Sequence, residues 1–206
     1  MPAPERRELI LNAAIDAFAE GGYHETSLEV VAVRAGVSKA LIYEHFSSKR
    51  DLFQELLETY VEELQNGVLA AATATSEGGE TRLLAGVEGF LEFVEDRRDA
   101  WRMLIRHRAT DDVDDTFEKL YGEMAGMIGT LMAPEMPKSV LPEGASFDHM
   151  VEAMSRQLLG ALTAIANWWD EHREVPRNQV LAMVMEFAWV GMERAAAGER
   201  WKPDQS

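Results

Sequence analysis

The stretch Thr26–Lys49, TSLEVVAVRAGVSKALIYEHFSSK, decides the fold. Its pattern predicts two short helices joined by a tight turn, then the opening of a third, longer one. Thr26 stands three residues before Glu29, the spacing of a capping box in which hydroxyl and carboxylate each satisfy a free backbone N–H. Leu28, Val31 and Ala32 share one face, and the helix stops at Ala35-Gly36. Gly36 suits the left-handed residue that ends a helix and turns the chain sharply. Val37 is placed to fill the angle between the helices, and Ser38 is a good N-cap for the second. Leu41 and Ile42 anchor that second helix, which leaves Lys39, Ala40, Tyr43 and, just past its end, His45 for the outside. Together these make a helix-turn-helix, a unit that sets its second helix in the major groove of DNA.

The run from Ala35 to Lys49, A-G-V-S-K-x-x-x-Y-x-H-F-x-S-K, resembles the DNA-binding signature of the tetracycline-repressor (TetR) family of bacterial transcription regulators. The likeness is close over the first quarter of the chain and extends over the rest in length and helical layout. Matched residue by residue, it implies DNA contacts from Thr26, Ser38, Lys39, Ala40, Tyr43, His45 and Lys49. Thr26 and the first N–H groups of its helix suit a phosphate, because helix N-termini attract anions. Lys39 reaches a phosphate or a guanine edge, and Ala40 admits close approach to a thymine methyl. Tyr43, His45 and Lys49 donate to phosphates. Two positions depart from the commonest pattern. Ala40 stands where glycine is frequent, and Glu44 puts an acid on the reading helix, either turned away or accepting from a cytosine amine.

Charge is the main counter-argument. The net charge is −16, from 20 Lys and Arg against 36 Asp and Glu. Residues 1–50 nevertheless hold six basic and seven acidic groups, so nearly all the excess lies beyond the helix-turn-helix. Acidic bulk behind a near-neutral reading head either weakens non-specific binding and leaves few phosphate contacts per head, or serves solubility alone. With no cysteine there is no disulfide framework, thiol nucleophile or cysteine-ligated metal. The N-terminus lacks an apolar signal core and no run of about 18 apolar residues suggests a membrane span, so a cytoplasmic protein is expected.

Periodicity predicts an all-α fold of about nine helices. After a short arm opened by Pro2 and Pro4, a first helix from Glu5 carries Ile10, Ala13, Ala14, Ala17 and Phe18 and ends at Gly21-Gly22. Arg6 and Arg7 at its start read as solvated charge or phosphate contacts. Ser48 caps a fourth helix to about Ala74, roughly 26 residues and about 39 Å long. Helices follow at about 80–96, 100–108, 112–132, 147–173 and 177–197, with Pro134, Pro137, Pro142 and Gly144 marking a loop. The expected division is a DNA-binding domain at 1–48 and a ligand-binding and dimerisation domain at 49–206.

The last two helices are apolar on more than one face. Leu158, Leu162, Ile165 and Trp169 sit among small residues, and Leu181, Val184, Met185, Ala188 and Met192 form one stripe of the ninth helix. Val180, Met183, Phe187 and Val190 form another. A helix apolar on two faces is buried on both sides or shared with a partner, so the nine residues first named are the expected homodimer interface. The resemblance implies the same dimer, with symmetric heads on a palindromic operator.

It also implies a small-molecule pocket among the middle helices. Candidate lining residues are Phe90, Phe93, Trp101, Met103, Leu104, Tyr121, Met124, Met127, Ile128, Met154 and Trp168, with His107, Arg106, Asn167 and His149 as polar contacts. Met-rich surfaces adapt to varied apolar ligands, so a hydrophobic or aromatic effector is expected. No catalytic fingerprint appears, the five histidines lack metal-ligand spacing, and neither a cofactor nor a metal is expected. Acidic residues at 111–115 lack the glycine and terminal glutamate of a calcium loop. The reading is a ligand-responsive regulator, preferred as a repressor because most of the family represses. The alternative is a helical ligand-binding or interaction module without DNA binding.

Overall fold

The computed structural model describes residues 2–75, 78–106, 114–136, 144 and 146–196. Among them the chain is all-α, with nine helices and no strand: α1 (Ala3–Glu25), α2 (Leu28–Ala35), α3 (Lys39–His45), α4 (Lys49–Thr73), α5 (Gly79–Asp96), α6 (Arg98–Arg106), α7 (Asp114–Met132), α8 (Phe147–Glu171) and α9 (Arg177–Ala196). Two expectations change. The opening arm is shorter, because Pro4 lies in the first turn of α1, where its missing N–H has no intrahelical acceptor to lose. Pro134 belongs to a 3-10 turn, Ala133–Glu135, that continues α7. His107, Pro137 and Pro142 fall outside the described residues.

Two compact units emerge. The first comprises Met1–Leu64 and Val94–Tyr121, the second Gln65–Phe93 and Gly122–Ser206, so α4, α5 and α7 each contribute residues to both. In the first unit, α1 packs on α2 and on α6. Ile10, Phe18, Val31, Ile42, Phe46, Leu52, Phe53 and Leu57 are almost wholly buried. Phe53 meets Phe18 edge-on at 4.9 Å and Tyr23 at 4.9 Å. Arg7 ties α1 to α4 through two bonds of 2.5 Å to the Glu55 carboxylate, while its guanidinium lies 4.7 Å from the centre of the Phe46 ring. That places Arg7 with the packing of the unit, and a forked guanidinium–carboxylate pair fixes geometry as well as charge.

In the second unit, small residues set the helix spacing. A Cβ on Gly89 of α5 would meet Ala71 Cβ at 3.2 Å and the Gly67 carbonyl at 3.3 Å, so glycine lets α5 approach α4 closely. Gly129 of α7 meets Val151 of α8 in the same way, at 3.1 Å. Trp169 Nε1 donates to the Val175 carbonyl at 2.7 Å and pins the α8–α9 turn. Arg82 pairs with Glu135 at 2.8 Å, holding the 3-10 turn to α5.

Candidate functional site

Local chemistry positions the reading helix. At Gly22 the backbone leaves the helical region (φ 76, ψ 169), which breaks α1 where the glycine pair predicts its end and adds one further turn. The chain then doubles back so that Thr26 is buried and its hydroxyl donates to the Ala17 carbonyl at 3.0 Å. Gly21 makes room for this, since a Cβ there would lie 3.0 Å from Thr26 Oγ1. The capping box expected from Thr26 and Glu29 is therefore not formed. Ser27 is the N-cap of α2 instead, its hydroxyl accepting from Val30 N at 3.4 Å. With its hydroxyl spent inside, Thr26 offers a phosphate no side-chain donor.

The turn itself follows the sequence. Gly36 is left-handed (φ 65, ψ 30), and Val37 N donates to the Ala32 carbonyl at 3.0 Å, closing the helix end. Ser38 caps α3 by accepting from Leu41 N at 3.2 Å. Ile42 is fully buried, and Leu41 half-buried, beneath the helix. What remains outside is Ser38, Lys39, Ala40, Tyr43 and Glu44, with Tyr43 50% exposed.

The charged groups of this face are not all open. Lys39 pairs with Glu29 of α2, and its ammonium lies 5.7 Å from the centre of the Tyr43 ring. The hydrogen bond from Lys39 is the chief cause holding the Glu29 carboxyl below its usual range, and the same bond raises Lys39. Both groups are solvated, so the pair contributes little to folding. Lys49 donates to the Tyr23 carbonyl at 2.8 Å and the His24 carbonyl at 3.4 Å, and lies over the Tyr23 ring. Of three ammonium N–H groups, these two bonds leave one. His45 is half-buried, and its Nε2 is shielded from solvent without a hydrogen-bonding partner. Sequence reasoning missed Glu29 as the counter-ion of Lys39. The spacing of ten residues carries no signal until the angle between α2 and α3 is known.

The other predicted residues divide between the units. In the first, Trp101, Met103 and Leu104 are buried on α6, and Tyr121 stacks on Phe117 with ring centres 6.1 Å apart. In the second, Phe90, Phe93, Met124 and Ile128 are buried, while Met127, Met154, Asn167 and Trp168 are half-buried. Trp168 stacks on His172 at 4.5 Å, and His149 is exposed. An open groove of about 400 Å³ between α7 and α8 is lined by Gly122, Gly126, Phe147, Val151 and Arg156 among others, and by none of the predicted pocket residues. No cluster of three or more His, Asp or Glu side chains among the described residues could hold a metal ion.

On the last two helices the expected interface needs redrawing. Leu158, Leu162, Trp169, Val184 and Ala188 are buried within the chain's own core, so these five are not free to meet a partner. Ile165, Leu181, Met185 and Met192 are half-buried. Of the second stripe Val180 is fully buried, and the open apolar face of α9 is the remainder, Met183 at 46%, Phe187 at 74% and Val190 at 45% exposure.

An all-α chain with a capped helix-turn-helix and an exposed recognition helix defines a DNA-binding transcription regulator of the helix-turn-helix class. Residues 10–56 match the family model for bacterial regulatory proteins of the tetR family, and residues 80–191 that for the tetracyclin repressor-like C-terminal domain. The chain belongs to the TetR family. It is 30% identical over 198 residues to the HTH-type transcriptional activator FasR of Mycolicibacterium smegmatis, covering 93% of this chain and 85% of that protein. A Bacillus subtilis fatty acid metabolism regulator protein is 35% identical over 69 residues, 32% of this chain and 36% of that one. Among solved structures, a TetR-like transcriptional regulator from Rhodococcus sp. RHA1 superposes with a TM-score of 0.75 at 25% identity, covering 97% of this chain and all of that one. No helix among the described residues is long and apolar enough to cross a membrane.

Proposed function

We propose that this TetR-family regulator is a cytoplasmic, non-catalytic homodimer that binds a palindromic operator through residues 1–48 and senses an apolar small molecule through residues 49–206. The exposed face of α3 carries the reading: Lys39, Ala40 and Tyr43 lie open on a helix whose opposite side is anchored by Ile42. Lys39 would leave Glu29 for the DNA, Tyr43 would donate to a phosphate, and Lys49 would use its remaining N–H. Ser38 would serve through its backbone and as the cap that orients Lys39. His45 would support the helix end, and Thr26 would contribute only through the position of α2. Met183, Phe187 and Val190 of α9, with the half-buried Ile165, Leu181, Met185 and Met192, would form the two-fold interface.

The effector class favoured is a fatty acyl group. Buried Phe90, Phe93, Met124 and Ile128 of the second unit support an apolar ligand, and the Bacillus subtilis relative is a regulator of fatty acid metabolism. An effector binding one conformation more tightly shifts DNA affinity by that difference alone. The relative matched across nearly the whole chain is an activator, and this favours activation over the repression preferred from sequence. Footprinting of genomic fragments across a salt series tests DNA binding, with a protected palindrome expected whose affinity falls steeply with salt. No protection at low salt would instead favour a ligand-binding module without DNA binding. Deleting the gene then separates the two signs, since loss of an activator lowers transcription from the protected promoter and loss of a repressor raises it. Mass spectrometry of protein purified from its source identifies a retained effector, and a sugar or phosphate there would overturn the apolar assignment.

A further inference from the structure

The geometry points to Glu44 as a base-reading residue that selects cytosine in the operator. It deepens the DNA-binding reading above and rests on it. Glu44 lies in the last turn of α3, exposed, and its side chain makes no hydrogen bond or ion pair with any described residue. The cations near it are engaged: Lys39 with Glu29 and the Tyr43 ring, and Lys49 with the carbonyls that end α1. Glu44 thus presents a free carboxylate on the exposed face of the recognition helix.

Its neighbour on that face is Ala40, one turn earlier. A helical side chain leans toward the N-terminus and covers the turn before its own Cα. That direction carries the Glu44 side chain toward Ala40, whose small methyl group would leave it room and let the helix sit deep. A carboxylate only accepts hydrogen bonds. Of the base edges in the major groove, guanine presents N7 and O6 acceptors and thymine an O4 acceptor, all of which repel it. Cytosine offers the N4 amine donor. Adenine offers N6 beside the N7 acceptor, which opposes the second carboxylate oxygen, so cytosine is preferred. Between two rows of phosphates the acid is costly unless it finds that donor. Glu44 accordingly acts by exclusion, and its cost on the wrong sequence is what makes the head selective.

The test is selection from a random duplex library by the full-length protein, by Glu44→Gln and by Glu44→Ala. Wild type is expected to fix a cytosine at one position of each half-site, with a roughly 5- to 100-fold loss for any other base there. Glu44→Gln should move that position to adenine, which an amide reads through N6 and N7, and Glu44→Ala should leave it without preference. Identical base preferences in all three proteins, with affinity raised equally on every sequence by removing the charge, would overturn the assignment and make Glu44 a repulsive group only. Failure of wild type to select any sequence would instead overturn the DNA-binding reading on which the assignment rests. Glu44 is exposed, and matching far-ultraviolet circular dichroism spectra of the three proteins establish that the comparison is between folded chains.

Discussion

At the scale of single residues, electrostatics separates groups that stabilise from groups that are tolerated. Asp16 on α1, though exposed, has its carboxyl raised above the usual 3.8, first by partial desolvation and then by the charge of Asp99 at the start of α6. An acid whose pKa rises on folding is more costly ionised in the folded state than in the unfolded chain. Its charge therefore reduces stability at neutral pH, and the penalty fades as pH falls through the raised value. Asp16→Asn is expected to raise the melting temperature by about 1–2 °C at pH 7. That advantage should shrink as pH is lowered toward 4, which thermal melts across a pH series would check. Arg34 works in the opposite sense, its hydrogen bond at 2.6 Å holding the Glu20 carboxyl below its usual range. That bond joins α2 to α1 and is favoured above the usual carboxylate pKa, then lost in acid. Thr26 illustrates what residue-level reading misses. Its spacing to Glu29 is that of a capping box, but its hydroxyl is claimed by the Ala17 carbonyl, nine residues back, across a gap that exists because Gly21 has no Cβ.

At the scale of elements, the ends of helices are more legible than their faces. Gly36, Ser38 and Ser48 could be read from sequence because each acts on backbone groups within four residues of itself. The left-handed Gly36 is a direct check. Gly36→Ala meets no atom within 4 Å, so its cost comes from backbone conformation alone, about 1 kcal/mol. A fall in melting temperature of about 2–4 °C is expected. Faces are different. Periodicity in α9 yields two apolar stripes equally well, and only packing decides that Val184 and Ala188 look inward while Met183, Phe187 and Val190 look out. No arrangement of residues along one helix encodes which side its neighbours will cover. Phe187→Asp places a charge on the open stripe without touching the core. In the proposed dimer it should halve the mass seen by sedimentation and weaken operator binding at least about tenfold, since two heads would hold the proposed palindrome. A variant that stays dimeric would move the interface elsewhere.

At the scale of the whole molecule, a chain of net charge −16 has to find DNA with a small number of cations, and the pairing of Lys39 with Glu29 alters how those cations respond to salt. An ammonium that displaces condensed counterions from DNA makes affinity fall with rising salt. In the proposed DNA contact, however, Lys39 would leave a carboxylate to do so, and salt weakens the pair it would leave behind. The two responses oppose one another. Lys39 would thus be a partly salt-buffered contact, carrying with it an internal substitute for a phosphate. Lys39→Ala is expected to lower operator affinity about tenfold with the dimer intact, while the slope of log affinity against log salt changes by less than the roughly 0.9 assigned to an unpaired cation. In Glu29→Gln the same lysine should show its full slope. A regulator built this way would hold its operator over a wider range of internal ionic strength than its charge alone would allow.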